Sequence, residues 1–369
     1  MSGPESPSPR QPEPNEDVLE AREVVRENSG LSRRDLVKRV GLGTVMLAAA
    51  GGVLSQLTVE APAAVAAAAG NGAGKGLKML GTNGGLNVSW YAQGKATMER
   101  WAGLYGVELT WIDGQADATK QRASLDNAAG RKWDLAGITP ASAGTIVAPV
   151  QRMIDAGVGV FQMTSNIGGP NDELDYLTFV EQSSYDMGLQ VTRALFEKAG
   201  GKGTVIQTRG VPGGSDQEGR DKGFKAALAQ YPGMKLVAED FGDWDRGKSQ
   251  GLWETYLNRF PDVTVAYCQN DDMAFGALTA AQNAGRRDLI IGGADGMPDA
   301  VDAVADGRIT ATIRHSSCQI HSLPVILGVA WKLGAIKDFP PTVPVLGPLV
   351  TPENAAGVKF LESSEVLYA

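Results

Sequence analysis

The sequence predicts an α/β protein of two similar lobes, each a doubly wound parallel sheet covered by helices on both faces. Three observations carry this. Short apolar runs alternate with helical stripes along most of the chain. The alternation stops after residue 163 and restarts near residue 187. Glycine supplies 47 of the 369 residues, against a usual ~7%, which suits the many tight turns of such a fold.

In the first half, Leu77–Gly81 is an apolar run before a turn. Met98, Trp101, Ala102 and Tyr105 follow at the i, i+3, i+4, i+7 spacing of an amphipathic helix, and Gly106 sits where a left-handed cap is wanted. Val107–Ile112 reads as a strand, Leu125 and Ala128 mark a helix, Asp134–Thr139 is a strand, Ile146–Ala156 a helix and Val158–Met163 a strand. The second half opens with a helix marked by Met187, Val191, Ala194 and Leu195 and stopped by Gly200-Gly201. Then come a strand at Gly203–Thr208, a helix through Phe224, Ala227 and Leu228, and a strand at Met234–Ala238. A helix carries Trp253, Tyr256, Leu257 and Phe260 on one stripe. Strands at Val263–Cys268, Leu289–Ala294 and Ile309–Ile313 then alternate with helices at Met273–Ala284 and Ala300–Ala305.

Hydrophobic residues at 43% and charged residues at 21% are ordinary globular values and exclude disorder for the chain as a whole. Lys+Arg 34 against Asp+Glu 42 leaves a net charge of −8. Such a surface repels phosphate backbones, so no nucleic-acid partner is expected.

Residues 1–70 are of another kind. Residues 1–30 are rich in Pro, Glu, Ser and Asn and read as disordered. Ser32-Arg33-Arg34-Asp35-Leu36-Val37-Lys38 precedes an apolar run from Val40 to Leu54, and A-x-A sites follow at Ala61–Ala67. A basic segment, a short apolar core and small-residue sites make an export signal. The paired arginines look like a twin-arginine signal, which implies a periplasmic or extracellular cell-envelope location. The run is shorter than the roughly 20 residues a membrane span needs.

In open α/β sheets ligands bind beyond the carboxyl ends of the strands. Five groups of residues stand there: Asn87, Trp90 and Tyr91; Gln269-Asn270-Asp271-Asp272; Asp295-Gly296; His315; and Trp244-Asp245-Arg246. Aromatic faces, amides, carboxylates and an imidazole suit a carbohydrate, whose C–H faces stack on rings while its hydroxyls pair with polar groups. No nucleophile–base pair accompanies them, so no enzyme is expected. Asp271 and Asp272 read as the caps of the following helix, which leaves Asn270 for a ligand. His315, as a neutral imidazole, is expected to change ligand affinity on protonation below about pH 6. Asp295 is expected to stay ionised there.

Tyr267–Leu278, reading Y-C-Q-N-D-D-M-A-F-G-A-L, resembles the Q-N-D-x-M-A-x-G-A-L segment of type I periplasmic sugar-binding proteins. Gly292–Ala300 is similar to that family's G-x-D-G-x-P-D/E-x run, Ala311-Thr312-Ile313 to its A-T-I, and Arg220 with Gly223-Phe224 to its R-x-x-G-F. The resemblance covers about residues 77–345. It implies two lobes joined by three crossovers, about 76–182 with 316–343 and 183–315 with 344–369. It also implies hinge closure on a monosaccharide or polyol, delivery to the permease of an ABC importer, and a monomer without cofactor. A sensory module presenting the ligand to a receptor or kinase would share this pocket. By the resemblance, Trp90, Tyr91 and Trp244 supply aromatic walls from the two lobes, Asn270 and Asp295 take sugar hydroxyls, and His315 replaces a glutamine of the ribose binders. Thr164-Ser165-Asn166 stands where those proteins carry an Asp-Arg pair, and their second pocket arginine falls near Gln217 or Glu218. Thr164 and Glu218 are therefore candidates, and both arginines are expected to be missing.

His315-x-x-Cys318-x-x-His321 has the look of a metal set, but a helix from Ser316 would send Cys318 and His321 in different directions. No metal is expected. Cys268 and Cys318 are expected to be buried thiols.

Overall fold

The computed structural model describes residues 72–168 and 173–362. The disordered N-terminus and export signal expected within residues 1–70 lie outside the described residues.

The first sheet is entirely parallel. Its strands are β1 (Lys78–Asn83), β2 (Glu108–Asp113), β3 (Leu135–Ile138), β4 (Gly159–Met163), β5 (Thr178–Glu181) and β11 (Thr342–Pro344), in the order β2-β1-β3-β4-β5-β11. Helices α1 (Ser89–Tyr105), α2 (Ala118–Ala128) and α3 (Val147–Asp155) connect the first four strands. The second sheet contains β6 (Lys202–Arg209), β7 (Gly233–Phe241), β8 (Val265–Cys268) and β9 (Ile290–Gly292), in the parallel order β7-β6-β8-β9. Single bridges from Gly292 and Asp295 extend it toward β10 (Thr312–Ile313), which pairs antiparallel with β12 (Leu349–Val350). This lobe carries α4 (Ser184–Lys198), α5 (Ser215–Gln230), α6 (Arg246–Arg259), α7 (Asp271–Asn283) and α8 (Pro298–Ala305).

The central strands β3, β4 and β8 are buried at every residue, as parallel strands covered on both faces must be. The chain passes between the sheets three times, after β5, after β10 and after β11. After β10 it returns as α9 (Ser317–Lys332), which packs on α1 and under β3; α10 (Ala355–Glu362) follows β12. The sequence reading did not anticipate β5, β11, β12 or α10, and of α9 it considered only a start near Ser316.

One helix crossing matters for the site. A side chain at Gly188 of α4 would meet the carbonyl of Arg220, and one at Gly223 of α5 would meet the carbonyl of Tyr185. These glycines let the two backbones touch and so fix how far α5 pushes Arg220 into the cleft.

Candidate functional site

Ten residues line one cavity between the lobes: Val88, Trp90, Tyr91, Thr164, Asp216, Arg220, Trp244, Asn270, Asp295 and His315. Each follows the carboxyl end of a strand. Val88, Trp90 and Tyr91 open α1 after β1; Thr164 follows β4; Asp216 and Arg220 lie in the first turns of α5 after β6. Trp244 precedes α6, Asn270 caps α7, and Asp295 and His315 follow β9 and β10. Thr164 (φ 51°), Trp244 (φ 63°) and Asp295 (φ 125°) all hold positive φ without being glycine. Such strain costs about 1–3 kcal/mol per residue and collects at binding sites. Gly210 makes room for Trp244, whose indole occupies the place a side chain there would take.

Arg220 is the hub. It is 3% exposed and donates to the Gln269 carbonyl, to Asp295 Oδ1 at 3.3 Å and to His315 Nδ1 at 3.2 Å. Its guanidinium carbon lies 5.2 Å from the centre of the Trp244 ring. A guanidinium only donates, so His315 Nδ1 must accept, and the imidazole proton sits on Nε2. That nitrogen donates to Thr164 Oγ1 at 3.1 Å. Burial and the Arg220 charge hold His315 well below its usual range, so it is neutral. Burial pushes Asp295 up to about 7 against the opposing pull of Arg220. Both findings reverse the expectation that His315 titrates near pH 6 while Asp295 stays ionised.

Trp90 is less open than a sugar-stacking wall would be. It is buried, stacks on His315 at 4.7 Å and 15°, and donates its Nε1 hydrogen to the His315 carbonyl at 2.7 Å. Asn270 does the capping expected of its neighbours: its Oδ1 accepts from Met273 N at 2.9 Å, and its Nδ2 donates to the Trp244 carbonyl at 3.2 Å. One N–H and one lone pair of that amide remain for other partners. Asp271 instead accepts from Thr312 Oγ1 and Met297 N, tying α7 to its own sheet.

Four candidates stand outside the lining. Asn87 and Glu218 are exposed. Asp245 caps α6 by accepting from Lys248 N at 2.7 Å. Arg246 lies over Phe275 and pairs with Asp272 at 2.8 Å and Asp299 at 3.4 Å on the rim. Val88, Asp216 and Arg220 were missed. The expectation that both pocket arginines are missing is corrected for one of them, because Arg220, one turn beyond Asp216, lines the cavity. The i, i+4 spacing of Asp216 and Arg220 after a strand was the signal.

Two sets of contacts close the rims. Asp272 accepts from Ser89 N at 2.9 Å and Ser89 Oγ at 3.0 Å. On the other side Ser165 Oγ donates to Asp216 Oδ1 at 3.2 Å, and Asn166 N donates to Ser215 Oγ at 2.8 Å. The cavity left inside is about 20 Å³, room for about one water. A larger ligand has to part the lobes and displace side chains to enter.

His315, Cys318 and His321 do not converge. His321 Nδ1 lies 2.9 Å from the Ser317 carbonyl, and Cys318 accepts from Thr97 Oγ1. Both cysteines are free thiols; Cys268 is buried, but Cys318 is only half-buried.

Residues 82–317 match the model of the periplasmic binding protein domain. The chain belongs to the periplasmic binding protein family. It is 28% identical over 269 residues to a xylitol-binding protein of Mycolicibacterium smegmatis, covering 72% of this chain and 75% of that one. It is also 28% identical over 235 residues to the ribose import binding protein RbsB of Salmonella typhimurium, covering 64% and 78%. Among solved structures, the binding component of the arabinose ABC transporter of Shewanella sp. ANA-3 superposes with a TM-score of 0.72 at 24% identity, covering 78% and 96%. That protein was solved with α- and β-L-arabinofuranose bound. The two-lobed parallel-sheet architecture is therefore that of this family. Among the described residues, no helix of this periplasmic binding protein is long and apolar enough to cross a membrane.

Proposed function

We propose that this periplasmic binding protein captures a monosaccharide or polyol by closing its two lobes and delivers it to the permease of an ABC importer. The observation that carries the reading is the gathering in one cavity of two buried carboxylates, Asp216 and Asp295, and one guanidinium beside the Trp244 ring. Carboxylates accept from vicinal hydroxyls, the guanidinium donates to a ring or hydroxyl oxygen, and the rings cover C–H faces. Relatives named for xylitol and ribose support the same ligand class. Within the reading, Tyr91, Thr164, Trp244, Asn270, Asp295 and His315 contact the ligand, joined by Asp216 and Arg220. Trp90 backs His315.

Opening and closing need no covalent chemistry. The ligand stabilises the closed form by touching both lobes. Titration calorimetry with D-ribose, xylitol, D-allose, L-arabinose and D-galactose tests this. Saturable binding of at least one sugar is expected. A thousandfold excess over its Kd stabilises the fold by about 4 kcal/mol, which a thermal shift reads. Binding by none of the five overturns the reading.

Export belongs to the same proposal. Arg33 and Arg34 before the apolar run support a twin-arginine route. Replacing both with Lys is expected to leave the precursor inside the cell, as seen by fractionation. Normal export of that variant would remove the twin-arginine claim and leave the binding claim standing.

A further inference from the structure

The polar groups of the cleft are unevenly shared between its two walls. Every charged side chain that lines it, Asp216, Arg220 and Asp295, belongs to the second lobe. Arg220 Nε is buried and meets no acceptor among the described residues, so it keeps a donor in reserve. The first lobe contributes Tyr91 and Thr164, each with one hydroxyl, and otherwise the apolar Val88 and the aromatic Trp90. The Trp90 N–H is already spent on the His315 carbonyl.

Val88 is the informative residue, because local structure argues against it. It occupies the N-cap of α1, with φ −93° and ψ 126°, and makes no side-chain cap. Ser, Thr, Asp or Asn at that position stabilises a helix by about 1 kcal/mol over an apolar residue. The first free N–H of α1, that of Ser89, is satisfied from across the cleft by Asp272. The helix start thus gives up its own cap, receives one from the opposite lobe, and presents an apolar side chain to the cavity. Conflict between local propensity and the observed residue is expected where function sets the choice.

Resting on the sugar-binding reading above, we infer that Val88 selects a ligand with hydroxyls along one edge and a deoxy or methylene position on the other. A hydroxyl placed against Val88 would be buried without a partner, and the cost of an unsatisfied buried hydroxyl is large enough to discriminate. Hydroxyls on the other edge meet Asp216, Asn270 and Asp295.

The test uses three matched pairs: D-galactose with D-fucose, D-glucose with 6-deoxy-D-glucose, and D-ribose with 2-deoxy-D-ribose. Each is titrated into the wild type and into Val88→Thr. The variant is isosteric, places a hydroxyl at the same point, and improves the cap, so its melting temperature is expected to be no lower than wild type. In at least one pair the deoxy member is expected to bind the wild type about tenfold or more tightly than its parent, and Val88→Thr is expected to bring that ratio close to one. Equal or tighter binding of all three parents by the wild type overturns the inference, as does a ratio unchanged in Val88→Thr. Binding of none of the six while xylitol, D-allose or L-arabinose binds overturns the inference alone, and binding of none of these nine ligands overturns the sugar reading itself.

Discussion

Arg220→Met is expected to abolish ligand binding and to destabilise the protein by about 3–5 kcal/mol, the usual cost of removing one partner of a buried ion pair. Arg220, Gln269 and Asp295 all belong to the second lobe, so their contacts do not depend on the cleft being shut. Without the guanidinium, the 6% exposed Asp295 carboxylate loses its counter-charge. The Gln269 carbonyl and His315 Nδ1 lose their donor. Methionine fills most of the space, so the loss reports charge and hydrogen bonds rather than a cavity. The Arg220→Met, Asp295→Asn double variant separates the two roles. It removes the stranded charge and is expected to recover more than half of the lost stability in urea titration, with no recovery of binding. If the double variant is no more stable than the single one, the two residues are not coupled and the hub assignment fails.

Most of the fold was legible because its two periodicities are clean. The Met98–Tyr105 and Trp253–Phe260 stripes fall on α1 and α6, and the apolar runs fall on strands, of which β3, β4 and β8 are buried at every residue. The extent of helix α9 beyond its start at Ser316 was not legible for a physical reason. Every residue from Ile320 to Ala330 is buried, so there is no polar face to set a 3.6-residue period, and Pro324 lies inside it. The strand β5, only Thr178–Glu181, and the shorter β11 and β12 carry too few residues to show alternation. These are also the segments at the crossovers.

The site was legible as far as strand ends reach. Trp90, Tyr91, Thr164, Trp244, Asn270, Asp295 and His315 all lie at the cavity because a doubly wound sheet gathers its carboxyl-end loops. The errors come from helical geometry. At roughly 100° per residue, Asp216 and Arg220 share one face of α5, and Glu218, midway between them, points away. Asp245 and Arg246 sit one and two residues beyond Trp244, where α6 begins; its first turn takes Asp245 as cap and carries Arg246 out to the rim.

Affinity for the ligand is expected to fall as the pH drops below about 7, by up to tenfold per unit, with Asp295 as the responsible group. The ionised carboxylate accepts ligand hydroxyls, whereas the protonated acid has lost an acceptor. Burial has lifted its titration to about 7, so binding below that pH must release a proton, and above it the affinity levels off. Its effect on the unliganded fold has the opposite sign. A carboxyl raised above its unfolded value of ~3.9 is held more tightly as the acid by the folded protein. The cost of burying its charge is therefore present above pH 7 and relieved as the pH falls toward 4. His315 and His321 oppose this. Burial lowers both, His321 to about 4, so they withdraw stability as the pH falls below ~6.5. The stability readout is therefore the difference between wild type and Asp295→Asn, which is expected to move in favour of wild type from pH 7 to pH 5. His315 stays neutral across this window and adds no step to the binding curve. Calorimetry from pH 5 to 8 on wild type, Asp295→Asn and His315→Gln decides the assignment. The slope is expected to persist in His315→Gln and to vanish in Asp295→Asn. The reverse pattern would make the imidazole the sensor and place Asp295 in its ionised form throughout.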